Sequence, residues 1–161
     1  AWVGDSRVYR LRGGALEQLS TDHSIVGEMV RAGALTPEAA EGHARRNELT
    51  RALGPMPTVE VESLELRQVT GDRFLLCTDG LWGPVPAAEV VAMLGESSLD
   101  AAVKALIARA NQRGGPDNVT ALIAVLEGDP GEGSGARLRW RFAAAAALVA
   151  AAVAALVALF A

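Results

Sequence analysis

Three aspartates stand in short polar runs where apolar stretches give way to glycine-containing turns. Asp5 lies in Gly4-Asp5-Ser6-Arg7. Asp79 follows Phe74-Leu75-Leu76-Cys77-Thr78 and precedes Gly80-Leu81-Trp82. Asp117 sits in Gly114-Gly115-Pro116-Asp117-Asn118-Val119-Thr120. An aspartate just beyond a strand projects from the open end of a sheet. Several such ends brought together make a cluster of carboxylates, which is unfavourable unless cations neutralise it. Carboxylate oxygens with few nitrogen or sulfur partners suit Mg²⁺ or Mn²⁺ better than Zn²⁺. Taken singly, each Asp also reads as a turn former, because Asx side chains bond nearby backbone.

The other reactive side chains have plainer readings. Cys77 lies inside an apolar run, where a thiol behaves as a core residue and not as a nucleophile. It is the only cysteine, so no internal disulfide forms. His23 and His43 titrate near neutrality when unperturbed, but His23 follows a turn signal and reads as structural. Arg45, Arg46 and Arg51 could meet an anionic substrate or simply face solvent. Trp82 reads as packing behind the Asp79 turn.

Elements that would carry these residues are visible in the pattern. Arg7–Leu11 and Ala15–Leu19 flank Gly13-Gly14, a hairpin signal. Ser24–Ala32 reads as a helix stopped by Gly33, and Thr36-Pro37 opens another. The spacing predicts a half-buried strand over Val59–Leu66, strands over Phe74–Thr78 and Val119–Leu126, and amphipathic helices over Ala87–Leu94 and Leu99–Arg113. Hairpins with helices set apart from them indicate an α+β layering.

Five runs in this order, Gly4-Asp5-Ser6-Arg7, Leu19-Ser20-Thr21-Asp22-His23-Ser24, Asn47-Glu48-Leu49-Thr50-Arg51-Ala52-Leu53-Gly54, Cys77-Thr78-Asp79-Gly80-Leu81-Trp82 and Gly115-Pro116-Asp117-Asn118-Val119-Thr120, resemble successive motifs of the metal-dependent serine/threonine protein phosphatases of the 2C type, bacterial branch. The resemblance runs over residues 1–127. It implies a sandwich of two antiparallel β-sheets flanked by antiparallel helices, with a metal site at one end. It implies two core ions, Mg²⁺ or Mn²⁺, with Asp79 and Asp117 on one of them. Asp5 would face a third, outer metal, and Asn118 would support Asp117 without being a ligand. Residues 22–47 would be a mobile flap. The implied reaction is attack of metal-activated water on phosphoserine or phosphothreonine, with no covalent intermediate.

Two departures follow. The family's bridging Asp-Gly motif, a further acidic residue and a phosphate-binding Arg belong to an N-terminal half that does not precede Asp5 here, so the sequence reads as the C-terminal half of such a domain, inactive alone. Gly83 also stands where many relatives carry another Asp, which weakens the outer metal position. The alternative readings are a non-enzymatic pseudophosphatase or phosphoprotein-binding scaffold, and a regulatory phosphatase with one dedicated partner.

Beyond residue 127 the composition changes. Residues 128–136 are a Gly-rich linker, part of a 128–139 segment carrying a juxtamembrane basic cluster. From Phe142 to Ala161 no side chain is charged or polar. At about 1.5 Å per residue such a run crosses the roughly 30 Å of a bilayer core, and residues 140–161 read as one transmembrane helix, with Trp140 an interfacial anchor. Arg137, Arg139 and Arg141 ahead of it act as a positive-inside signal. The expectation is a single-pass protein of the cell membrane with its catalytic domain in the cytoplasm, acting on phosphorylated proteins and opposing a membrane Ser/Thr kinase. Setting those three arginines aside leaves twelve basic against nineteen acidic residues, a balance of −7. That is unfavourable for nucleic acid, whose binding needs clustered cations.

Overall fold

The computed structural model describes residues 1–127, which form one compact unit, Ala1–Glu127. The linker and the apolar run read as a membrane span lie outside the described residues. Among the described residues no helix is long and apolar enough to cross a membrane.

One antiparallel sheet organises this unit. Its strands are β1 (Arg7–Arg12), β2 (Ala15–Gln18), β3 (Arg73–Cys77) and β4 (Ala121–Val125), in the order β2-β1-β3-β4. Gly13 and Gly14 both have positive φ, 56° and 82°, which lets the β1–β2 hairpin turn in two residues and pairs Arg12 with Ala15. The helices are α1 (Ile25–Arg31), α2 (Pro37–Glu41), α3 (Asp79–Trp82), α4 (Ala87–Leu94) and α5 (Leu99–Gln112). Ser24, Thr36 and Ser98 cap α1, α2 and α5, each accepting from a backbone N–H three residues on.

The alternation of the strands sends Leu11, Leu75 and Cys77 to one face. There they meet Leu81, Val85, Val90, Leu94, Leu106 and Ala110 from the α3–α5 region. Leu75, Leu81, Leu94 and Leu106 are fully buried, so this layer is the core. On the opposite face the register aligns Val8, Leu76 and Leu122 in one row, and Leu76 and Leu122 are exposed.

Among the described residues there is one four-stranded sheet with the α3–α5 region packed on one face, and the second sheet of the expected sandwich is not among them. The strand expected over Val59–Leu66 does not form. Only Glu62 pairs, with Trp2, through Trp2 N–H to Glu62 O at 2.9 Å and Glu62 N–H to Trp2 O at 3.2 Å. Alternating hydrophobicity marks a strand only where a neighbour takes its backbone groups, and this segment has one such residue. Val61, Leu64 and Val69 consequently remain exposed.

Candidate metal-binding rim of the sheet

The register places the three aspartates at one end of the sheet. Arg7 at the start of β1 pairs with Cys77 at the end of β3, and Cys77 pairs with Ala121 at the start of β4. Asp5 therefore enters β1, Asp79 leaves β3 and Asp117 approaches β4 at the same rim. The chain direction of antiparallel strands, not sequence proximity, brings them together.

Local geometry holds the turns that carry Asp79 and Asp117. Thr78 precedes α3 but does not cap it. Its hydroxyl instead donates to Asn118 O at 3.2 Å and accepts from Thr120 N–H at 3.1 Å. This clamps the Asp117 loop beside Asp79. Gly80 permits the approach: a Cβ there would lie 2.4 Å from Asn118 O and 3.2 Å from Asp117 O. One oxygen of Asp79 accepts from Gly80 N–H at 2.9 Å, and one of Asp117 accepts from Asn118 N–H at 2.7 Å. No hydrogen bond occupies the other oxygen of either group among the described residues.

Burial, and next the neighbouring Asp79 carboxylate, hold the Asp5 carboxyl above the usual range. The indole N–H of Trp82 donates to Asp5 O at 3.0 Å. Arg7 lies over the Trp82 ring, 3.6 Å from its centroid, and binds Asp22 through two nitrogens. Asp22 and Arg7 act on Asp5 in opposite senses, the carboxylate raising and the guanidinium lowering its pKa.

Carboxylate oxygens that repel one another, with free lone pairs and no nitrogen or sulfur donor beside them, fit a hard divalent cation. The fit is partial. Among the described residues no three His, Cys, Asp or Glu side chains close on one point, so the expected three-carboxylate cluster is an open rim with Asp5 and Asp79 as its interacting pair. Further ligands would have to come from water, substrate or other protein groups.

The remaining candidates separate clearly. Cys77 is buried, and burial pushes its thiol up to about 12, so it has no thiolate chemistry. Trp82 packs against the core as expected, and it also orients Asp5. Arg45 is spent on Glu48, and Arg51 approaches Glu60 and Glu62. His43 accepts from Arg45 N–H. Residues 22–47 contain α1 and α2 and are tied at their ends by a Ser24–Leu49 bridge and Ile25 N–H to Glu48 O at 2.9 Å. The sequence reading missed the positioning work of Arg7, Asp22 and Thr78. Arg7 was legible in principle, since the period-2 pattern puts it on the same face as Tyr9 and Leu11.

Solved PPM serine/threonine phosphatases share this fold. The enzyme MsPP of Mycobacterium smegmatis, determined with cacodylate, superposes with a TM-score of 0.73 at 39% identity, over 78% of this chain and 54% of that one. The catalytic domain of the serine/threonine phosphatase PstP, determined with two manganese ions, gives 0.64 at 37% identity, over 78% and 52%. In sequence, the serine/threonine phosphatase stp of Listeria innocua is 43% identical over 122 residues, 75% of this chain and 48% of its own length. No family model matches the chain. The chain spans about half the length of these relatives, which are named protein phosphatases and hence hydrolases.

Proposed function

We propose that this chain is part of a metal-dependent serine/threonine protein phosphatase of the PPM type, the C-terminal part of its catalytic domain. The observation that carries the reading is the convergence of Asp5, Asp79 and Asp117 at one rim, on three strand ends that the β1–β3–β4 register brings together. Similarity to named phosphatases, one determined with two manganese ions, supports it independently.

In this reading Asp79 and Asp117 would hold one core ion and Asp5 would serve an outer one. Mg²⁺ or Mn²⁺ held there would supply an activated water and screen charge on the phosphoryl group. The chain's own residues prepare that site. Thr78 and Gly80 fix the separation of the Asp79 and Asp117 turns. Arg7 and Trp82 fix the approach of Asp5. Buried Cys77 contributes packing and no nucleophile. The substrates are proteins phosphorylated on Ser or Thr.

The test is hydrolysis of a phosphothreonine peptide by the full-length protein. Activity is expected to require Mn²⁺ or Mg²⁺. Asp79→Asn and Asp117→Asn keep shape but remove charge, and each is expected to lower the rate by about a hundredfold or more, the equivalent of several kcal/mol at the transition state. Asp5→Asn is expected to do less. Turnover that persists in chelator overturns the reading. Absence of turnover with tight phosphopeptide binding establishes the scaffold instead.

We further propose that residues 140–161 anchor the protein as a single span with the phosphatase part in the cytoplasm, where it opposes a membrane kinase. The support is the uncharged run after Arg137, Arg139 and Arg141. Recovery in the membrane fraction, lost on deletion of 140–161, is the expected outcome. Recovery of the intact protein in the soluble fraction refutes it.

A further inference from the structure

His23 is 1% exposed and stacks on Trp2, with ring centroids 6.2 Å apart. Gly4 N–H donates to its Nδ1 at 3.1 Å, and its own backbone N–H donates to Gly4 O at 3.0 Å. An amide nitrogen only donates, so Nδ1 carries no hydrogen. The ring hydrogen then sits on Nε2, which donates to Glu62 Oε2 at 2.9 Å. Arg31 and Arg51 flank the same carboxylate oxygen at 3.5 and 3.8 Å, which keeps Glu62 an acceptor. Arg51 Nη1 also lies 3.5 Å from Nε2, well beyond the Glu62 contact, and it is the Gly4 N–H on Nδ1 that fixes the tautomer.

The residue gripped by Nδ1 matters. Gly4 has φ 94°, a conformation that other residues rarely adopt. The next residue is Asp5, whose carbonyl is held from the other side by Trp82. His23 thus fixes the backbone before Asp5, and Trp82 fixes the backbone at Asp5. The His23 carbonyl also accepts from Thr50 N–H at 2.8 Å, joining this grip to the segment that carries Arg51.

We propose that His23 is a positioning residue whose neutral, Nε2-protonated imidazole fixes the Gly4–Asp5 backbone and thereby sets the divalent-cation affinity of the Asp5 carboxylate. The proposal rests on the rim being a cation site. It assigns the two ring nitrogens different tasks, Nδ1 toward Asp5 and Nε2 toward Glu62. A carboxamide at this position reproduces one or the other. Asn places its oxygen near the Nδ1 position, whereas Gln reaches toward the Nε2 position.

The experiment uses the full-length protein and its His23→Asn, His23→Gln, Asp5→Asn and Asp79→Asn variants. Nitrogen-15 imidazole spectra without metal are expected to show a bare Nδ1 and a protonated Nε2. Calorimetric Mn²⁺ titration is expected to show an Asp5-dependent phase weakened about 10–100-fold in His23→Gln, the range for a lost partner behind a metal ligand, with most of it restored in His23→Asn. A role confined to filling space predicts the reverse order, since Gln is closer to His in volume. Equal Mn²⁺ binding by His23→Gln and wild type overturns the proposal, as does a protonated Nδ1. If Asp79→Asn and Asp5→Asn both bind Mn²⁺ like wild type, the cation rim itself is refuted and the proposed effect with it. The metal-free spectrum reports on His23 independently, so that failure is distinguishable from the others.

Discussion

Gly80→Ala tests the rim with the smallest possible change, one methyl group. Gly80 is buried and helical, so the new residue meets no backbone strain. Its Cβ, however, would lie 2.4 Å from Asn118 O and 3.2 Å from Asp117 O, both main-chain atoms that cannot rotate aside. To restore even 3.0 Å the Asn118 carbonyl must retreat by about 0.6 Å, and about 1.0 Å restores a comfortable 3.4 Å contact. That carbonyl also receives the Thr78 hydroxyl, so the clamp on the Asp117 loop loosens with it. Overpacking of this kind costs about 1–3 kcal/mol. Replacing a helical glycine offsets roughly 0.5–1 kcal/mol of this, so the variant still folds. Catalysis is affected more, because a displacement near 1 Å in a positioned group can lower the rate by about a hundredfold. The assay is phosphothreonine-peptide kinetics of the full-length protein across a Mn²⁺ titration, with thermal unfolding alongside. Gly42→Ala is the control, since a Cβ there meets nothing within 4 Å. If Gly80→Ala matches Gly42→Ala in rate and Mn²⁺ requirement, the close packing of the Asp79 and Asp117 turns is not what builds the site.

Cys77, buried and with its thiol pushed up to about 12, is expected to resist thiol reagents in the native protein and to react only on unfolding. Cys77→Ala is expected to keep metal-dependent activity and to lower stability modestly, and a large loss of rate without loss of fold would contradict its assignment to the core. Asp72 accepts from Arg12 through both oxygens and from Val69 N–H. The Arg12 hydrogen bond, ahead of the opposing effect of burial, holds its carboxyl below the usual range. A depressed folded value stabilises the protein above the unfolded value of about 3.9, and that stability is lost as pH falls toward the folded one. Asp72→Asn is therefore expected to lower the unfolding midpoint by several degrees at neutral pH and to flatten its decline in acid. An unchanged acid limb refutes the pairing.

What the sequence displayed and what it concealed differ by the range of the interaction. The Gly13-Gly14 hairpin, the Thr36-Pro37 helix start, and the α4 and α5 periodicities are local, and all are present in the structure. Val59–Leu66 failed as a strand because its alternation was real but its partner was not, with only Trp2 beside Glu62. The sequence likewise placed each aspartate at a strand end, but the shared rim depends on the β1–β3–β4 register. Thr78 reads as the last residue of a strand, and its work as a clamp on residues 118 and 120 exists only once the β3 and β4 segments are folded together. His23 reads as part of a turn, and its hold on Gly4 exists only once the two segments are folded together.

Whether the rim binds metal is decided by locating Mn²⁺ in crystals of the full-length protein through its anomalous scattering. A manganese peak is expected within direct coordination distance of the Asp79 and Asp117 carboxylates, with a second ion beside it, and loss of the shared peak in Asp79→Asn. Manganese bound elsewhere, or a rim that stays empty at saturating Mn²⁺ while the protein hydrolyses phosphothreonine, would contradict the reading of the rim as a metal site.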